Sequence, residues 1–217
     1  MAFGRLPLFW LLSSGFCLLL PAEIIDRIVI SVGNQVITES QIEEEIRITA
    51  FLNRAKLDLN SAEKKKAAAR LIEQTLVKRE MDFSRYPMPS LADADASLQS
   101  VNARFASDAL REEAVRQYGV TEEALRTHLW WQLTVLRFIE YRFSPGIQVS
   151  DAEVQAHYQR QVAKWREQGV NPIPTLEEAH DQIAEILTQQ RIDEGLERWL
   201  VETRKQITIR YRDESLQ

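Results

Sequence analysis

The chain has 217 residues, with 27 Lys and Arg against 32 Asp and Glu and a formal net charge of −5. Nucleic-acid binding depends on clustered basic residues, so this acidic balance argues against a nucleic-acid partner. The only cysteine, Cys17, lies in a segment that we expect to be removed, which excludes catalytic thiols and cysteine metal ligands from the mature chain.

Residues 1–22 have the layout of a secretion signal. Arg5 precedes an almost wholly apolar run from Leu6 to Leu20, and Ala22 stands before the first acidic residue. The run is shorter than the roughly 20 apolar residues that a membrane-spanning helix needs. We therefore expect export to the periplasm, cleavage after residue 22 and no stable membrane insertion afterwards. An uncleaved inner-membrane anchor is the alternative.

The run IVISVGNQVI, residues 28–37, predicts a β-hairpin. Ile28, Ile30 and Val32 alternate along the first half, which places them on one face of an extended segment. The Gly-Asn pair at 33–34 tolerates the positive φ angles of a tight turn. The second half then returns as a short strand.

Helices are predicted for most of the chain that follows, because apolar residues recur at spacings of three and four after suitable capping residues. Two prolines, Pro87 and Pro89, interrupt this pattern before a weaker, Ala-rich segment. Gly119 and Gly169 end two of the helices. The predicted helices begin near Thr38, Asn60, Leu91, Ser107, Thr121, Ser150 and Thr175.

Apolar stripes on these helices predict the faces that are buried. We expect the helix at 122–143 to be central and heavily buried, because apolar residues lie around much of its surface. The predicted core positions in the first, second and central helices include Ile42, Ile46, Ala50, Ala68, Ile72, Leu76, Phe83, Leu125, Leu129, Leu133, Val135 and Leu136. The short helix from Ser107 adds Leu110, and the last helix adds Leu187 and Leu196.

The segment ITIRYR, residues 207–212, predicts a strand near the end of the chain. Ile207, Ile209 and Tyr211 alternate with polar residues, as in a strand with one buried face. An unpaired strand is costly, and the only other predicted strands lie in the opening hairpin. We therefore expect a mostly α fold in which the N-terminal hairpin and the C-terminal strand form a small sheet.

The sequence contains no pattern that requires catalysis. His128, His157 and His180 lie on separate predicted helices without a His-Glu-x-x-His pattern, so we interpret them as exposed or satisfied by partners. The glycines are isolated and form no phosphate-binding loop. We expect a protein that is not an enzyme and has no catalytic residues, no metal site and no cofactor.

Several segments resemble the SurA-type periplasmic chaperones. VGNQVITESQI at 32–42 is similar to the opening of that family's helical core, although Gly33 departs from the Asn often found at this turn position. YGVTEEALRTHLWWQLTVLRFIEYRF at 118–143 resembles the family's long helix and its start. IQVSDAEVQAHY at 147–158 resembles the junction that follows, and ITIRY at 207–211 resembles the segment that folds back onto the core.

This resemblance implies a multi-helix chaperone core, residues 23–217, without the family's parvulin-type peptidyl-prolyl isomerase domain. Such a domain would need on the order of a hundred residues, whereas Trp165 and Thr175 are close in sequence. We expect an N-terminal helical region at 23–168 and a linker at 169–174 in place of the isomerase. Residues 175–217 then supply the helix and strand that complete the core.

The function implied by the resemblance is that of an ATP-independent holdase for unfolded outer-membrane or envelope proteins. Two alternatives stay open: a non-catalytic assembly or scaffold factor for one envelope partner, and a residual prolyl isomerase. An apolar groove for extended polypeptides would draw on aromatic side chains, although the same residues are also typical of a core. The candidate peptide-binding residues are Trp130, Trp131, Phe138, Tyr141, Trp165 and Trp199.

Overall fold

The structure, a computed structural model, describes residues 26–216, so the predicted signal segment at 1–22 lies outside the described residues. Seven α-helices and a three-stranded antiparallel sheet make up this part of the chain. The elements are β1 (Ile28–Val32), β2 (Gln35–Thr38), α1 (Glu39–Asn53), α2 (Ser61–Phe83), α3 (Leu91–Asn102), α4 (Asp108–Tyr118), α5 (Glu122–Phe143), α6 (Asp151–Glu167), α7 (Leu176–Gln206) and β3 (Ile209–Tyr211). Within 26–216, none of the helices combines the length and apolar character needed to cross a bilayer.

The sheet joins the two ends of the described chain in the order β2-β1-β3. Ile30 stands opposite Ile37 on one side and Tyr211 on the other, and it has no exposed surface. Gly33 takes a φ of 60° in the turn, and its N–H donates to the carbonyl of Thr208 at 2.9 Å. The predicted sheet between the hairpin and the C-terminal strand is therefore confirmed.

Strand β1 does not keep the predicted alternation at its start. Val29 is 2% exposed, whereas Ile28, which we expected on the buried face, is 37% exposed. The register with β2 shifts between Ile28 and Ile30, which marks a β-bulge or similar irregularity. The carbonyl of Val29 also accepts a hydrogen bond from the N–H of Arg212 at 2.8 Å, so the backbone contact between β1 and the C-terminal segment continues one residue past β3.

The local signals for the helix starts agree with the structure. Thr38 and Gln41 form a reciprocal capping box, with the Thr38 N–H 2.9 Å from the Gln41 side-chain oxygen. The N–H of Ser150 donates to Glu153 at 2.9 Å in the same way. Such contacts satisfy N–H groups at a helix start that lack partners within the helix, which explains why capping residues located these boundaries well.

The residues of the core divide into three clusters. The first cluster lies between the sheet, α1, α2 and the end of α7. The second cluster lies between α1, α3 and α5, and the third cluster lies between α6 and α7. The first cluster includes Ile30, Ile42, Ile46, Ala68, Ile72 and Leu76. The second cluster includes Ile48, Phe51, Leu98, Leu125 and Leu129. The third cluster consists of Val154, Ala179 and Ile183.

Three apolar residues lie outside the buried faces on which we placed them. Phe83 is 80% exposed because it ends α2 and the chain turns to an extended conformation at Ser84. Leu110 is 51% exposed, since α4 covers the second cluster only with half-buried side chains. Leu136 is 61% exposed, because the face of α5 that carries it borders a groove.

Helix α7 has 31 residues and spans about 46 Å at the usual rise per residue. Its first half packs against α6, and its second half returns to α5 and α2. A Cβ atom at Gly195 would lie 3.2 Å from the ring of Phe143, which is tighter than an ordinary carbon contact. The missing side chain at Gly195 thus allows α7 to approach the end of α5.

Replacement of Ile30 by Ala tests the contribution of the three-stranded sheet to stability. Because Ile30 is fully buried between two strands, we expect a loss of about 2–4 kcal/mol in the free energy of unfolding, measured by urea denaturation. Ile28→Ala on the same strand is the matched control, and its cost should stay below about 1 kcal/mol because Ile28 is 37% exposed. Equal costs for the two variants would contradict this account of the sheet.

Candidate functional site

A groove of about 460 Å³ lies where α1, α2, α5 and α7 meet. We call it the apolar groove, because most of its exposed lining is carbon. Its aliphatic lining comes from Val77, Val135, Leu136, Leu196 and Leu200, and its polar lining from Glu45, Thr49, Arg70, Glu73, Gln74, His128 and Gln132.

Helix periodicity places these side chains together. On α5, His128, Gln132, Val135 and Leu136 recur at spacings that put them along one stripe of the helix. Leu196 and Leu200 on α7 follow the same rule. Because α7 returns to α5 only over its second half, the stripe on α5 faces an unfilled space instead of a packed neighbour.

A second cavity, of about 440 Å³, lies between α1, α2 and the first half of α5. We call it the acidic cleft, because its lining includes three glutamates and neither Lys nor Arg. It shares Glu45, Gln74 and His128 with the apolar groove, so the same side chains border both. Its lining residues are Gln41, Glu44, Glu45, Ile48, Leu71, Gln74, Thr121, Glu123, Ala124, Thr127, His128 and Trp131.

A polar cluster centred on Glu45 separates the two cavities. Glu45 is only 5% exposed, and its carboxylate accepts a hydrogen bond from Nε of Arg70 at 2.7 Å. Nδ1 of His128 lies 3.2 Å from the other carboxylate oxygen, and Thr49 donates its hydroxyl at 3.3 Å. His128, itself 9% exposed, lies 3.0 Å from the side-chain amide of Gln132 through Nε2.

The neighbours of Glu45 keep its carboxyl group ionised. Burial is the largest single effect and by itself would raise the pKa of Glu45. The hydrogen bonds and electrostatic contacts of Glu45 with His128 and Arg70 together outweigh burial, so the pKa of Glu45 lies below its ordinary value. A buried carboxylate with these partners fixes the spacing of α1, α2 and α5 at the border of the two cavities.

The two adjacent tryptophans of the predicted peptide-binding set have different surroundings. The indole N–H of Trp130 donates to the carbonyl of Pro89 at 3.0 Å, which attaches α5 to the loop before α3. Trp131 is half-buried and lines the acidic cleft, with the ammonium of Lys78 5.9 Å from its ring centroid.

Three further residues of that set belong to an aromatic cluster around the end of α5. Phe138 has no exposed surface, and its ring centroid lies 5.1 Å from that of Trp199 and 5.2 Å from that of Tyr86. Tyr141 is 58% exposed, and its ring centroid lies 5.5 Å from that of Tyr86 in an edge-on contact. Phe138 therefore offers no contact surface to a peptide in this structure, whereas Tyr141 does.

The sixth residue, Trp165, packs against Tyr158 in the cluster between α6 and α7, away from both cavities. Of the six aromatic candidates, only Trp131 lines the acidic cleft, and none lines the apolar groove. The six aromatic candidates thus lie in four different places: beside the loop before α3, in the acidic cleft, in the aromatic cluster at the end of α5, and between α6 and α7. They do not form one surface.

Sequence reasoning missed the aliphatic residues that line the apolar groove. The sequence pattern predicts buried positions for Val135, Leu136 and Leu196, and it does not distinguish Val77 or Leu200. A usable signal was present: α5 carries apolar residues around more of its circumference than its neighbours can cover. An excess of this kind indicates either a buried helix or an unfilled apolar surface.

The apolar groove combines an open aliphatic surface with hydrogen-bonding groups at one end. Such a surface suits an extended apolar segment whose backbone still needs polar partners. Comparisons of the chain with models of known protein families and with curated proteins find no match.

The pH dependence of stability tests the surroundings of Glu45. Because the folded state lowers the pKa of Glu45 from 4.5, its stabilising effect is present above that value and is lost as the pH falls through the folded-state pKa. We expect Glu45→Gln to lower the free energy of unfolding at pH 7 by about 1–3 kcal/mol, because charge-assisted hydrogen bonds are lost. Between pH 5 and pH 3 we expect the variant to lose less stability than the wild type.

Urea unfolding at a series of pH values measures both effects. Glu44→Gln is the matched control, since Glu44 is the exposed neighbour on the same helix, and it should keep the wild-type pH dependence. If Glu45→Gln lost as much stability on acidification as the wild type, the described partners would not lower the pKa of Glu45.

Proposed function

We propose that the protein is an ATP-independent periplasmic holdase that binds unfolded outer-membrane or other envelope proteins through the apolar groove. The observation that carries the proposal is the groove itself, an open aliphatic surface walled by four helices. Leu136 is 61% exposed there and lies in one lining with four other aliphatic side chains, so the apolar surface is contiguous. An unfolded polypeptide would cover this surface with its own apolar side chains.

The openness of the groove supports a holdase that works without nucleotide. Its aliphatic residues offer non-directional contacts, which do not select one side-chain geometry. Binding without deep enclosure stays weak and reversible, because each contact removes only a modest area from water. Release of the client then needs no energy-consuming conformational change.

The resemblance to SurA-type chaperones supports the same proposal at particular places. The segment VITES spans the end of β2 and the capped start of α1, and YGVT spans the end of α4 and the start of α5. Helices α6 and α7 follow one another after a short connection and pack together. In this proposal that connection stands where the family carries its isomerase domain.

Aggregation of an unfolded outer-membrane protein gives the first test. We expect the protein to suppress light scattering by the client, and we expect Leu136→Glu to weaken client binding about 10-fold or more, because it places a charge in the apolar groove. Leu110→Glu is the matched control, since Leu110 is an exposed helical leucine outside the groove and should behave as the wild type. If both variants suppressed client aggregation equally well, the apolar groove would not be the client-binding site.

The scaffold alternative makes a different prediction for the same material. Affinity purification from a periplasmic extract should recover many envelope proteins in small amounts if the protein is a holdase. A single partner in stoichiometric amount would favour a dedicated assembly factor instead.

A proline-peptide assay separates the proposal from the isomerase alternative. We expect the cis-trans isomerisation of a proline-containing peptide to stay at its uncatalysed rate, which corresponds to tens to hundreds of seconds at 25 °C. A known parvulin-type enzyme serves as the positive control. Acceleration that is proportional to the protein concentration would contradict the non-enzymatic proposal.

A further inference from the structure

The acidic cleft continues the apolar groove past the cluster around Glu45. On α1 its lining residues are Gln41, Glu44, Glu45 and Ile48, and on α5 they are Ala124, Thr127, His128 and Trp131. Both sets follow the spacing of three and four residues that defines one helix face. Two helices thus turn facing stripes towards a space of about 440 Å³ that the described side chains leave open.

The charges of the two cavities are balanced differently. In the apolar groove, Glu73 pairs with Arg204 at 2.9 Å and Arg70 pairs with Glu45, so the charged groups have partners. In the acidic cleft, Glu44 and Glu123 form no ion pair with any residue of 26–216. The cleft therefore has an excess of negative charge that the groove lacks.

The ring of Trp131 borders the acidic cleft. The ammonium of Lys78 lies 5.9 Å from the ring centroid, within the range of a cation-π interaction. The indole thus already has a cation near it at one edge of the cleft. Lys78 is not among the lining residues of the cleft, so the ring of Trp131 belongs to a lining that also includes Glu44 and Glu123.

We propose that the two cavities together select client segments in which apolar residues are followed or preceded by Lys or Arg. This inference rests on the proposed holdase function. The apolar residues of an extended segment occupy the apolar groove, and the neighbouring basic side chain reaches the acidic cleft near Glu44, Glu123 and Trp131. Charge complementarity of this kind contributes to selection and to the rate of association.

Three synthetic peptides test the proposal with the intact protein. They share one apolar aromatic-aliphatic sequence and carry Lys, Ser or Glu at both flanks. We expect the Lys-flanked peptide to bind about 3–10-fold more tightly than the Ser-flanked one in low salt, as measured by fluorescence anisotropy. This preference should shrink as the salt concentration rises, because exposed charges are screened.

The double variant Glu44→Gln/Glu123→Gln tests whether the acidic cleft causes the tighter binding of the Lys-flanked peptide. We expect it to bind the Lys-flanked and Ser-flanked peptides equally and to leave the affinity for the Ser-flanked peptide unchanged. Glu112→Gln/Glu113→Gln on α4 is the matched control, because it removes the same charge outside the cleft and should keep the wild-type preference. Retention of the preference in the first variant, or its loss in the control, would overturn the proposal.

The Ser-flanked peptide distinguishes the two proposals. If it binds while the Lys-flanked and Glu-flanked peptides show no difference in affinity, the charge preference is wrong and the proposed holdase function stands. If none of the three peptides binds, both the preference and the proposed function fail.

Discussion

The pairing of β1 with β3 is the interaction on which the rest of the structure depends. It fixes the end of α7 beside the first core cluster, where Trp199 and Leu200 pack against buried residues of α2 and the sheet. This position of α7 in turn places Leu196 and Leu200 opposite α5. The helix that forms the fourth wall of the apolar groove is therefore anchored at its end by a sheet that two strands from opposite ends of the described chain share.

The second organising feature is the buried carboxylate of Glu45 between the two cavities. A buried charge is costly unless it has partners, and this one draws Arg70 from α2 and His128 from α5 towards α1. The contacts hold three helices at a spacing that the core alone does not fill. The result is a long surface whose one half is aliphatic and whose other half is acidic, with no aromatic side chain in the aliphatic half.

Much of the fold could be predicted because its signals are local. The cap at Thr38 depends on residues within one turn, and the alternation in ITIRY marks a strand regardless of its partner. The candidate site depends on which helix faces pack against one another. Helix periodicity identifies an apolar face but does not identify the element that covers it. Leu136 and Phe138 lie on nearly opposite faces of α5, because two helical positions are about 200° apart. Periodicity does not say which of these faces is covered: Leu136 is 61% exposed, and Phe138 has no exposed surface. Only the packing of α7 and the loop near Tyr86 separates their roles.

The sheet order also sets a sequence of events during biosynthesis. A chain that emerges from its N-terminus forms the β1–β2 hairpin early, but the outer edge of β1 stays without its partner until residues 209–211 have followed. An open strand edge is a template for wrong pairing with other chains. During that interval the polypeptide has an exposed edge like those of the unfolded proteins it is proposed to protect, and its groove has not yet acquired its fourth wall. Under the proposed function, client binding would begin only when the last strand docks, and the onset of activity would be coupled to the completion of folding.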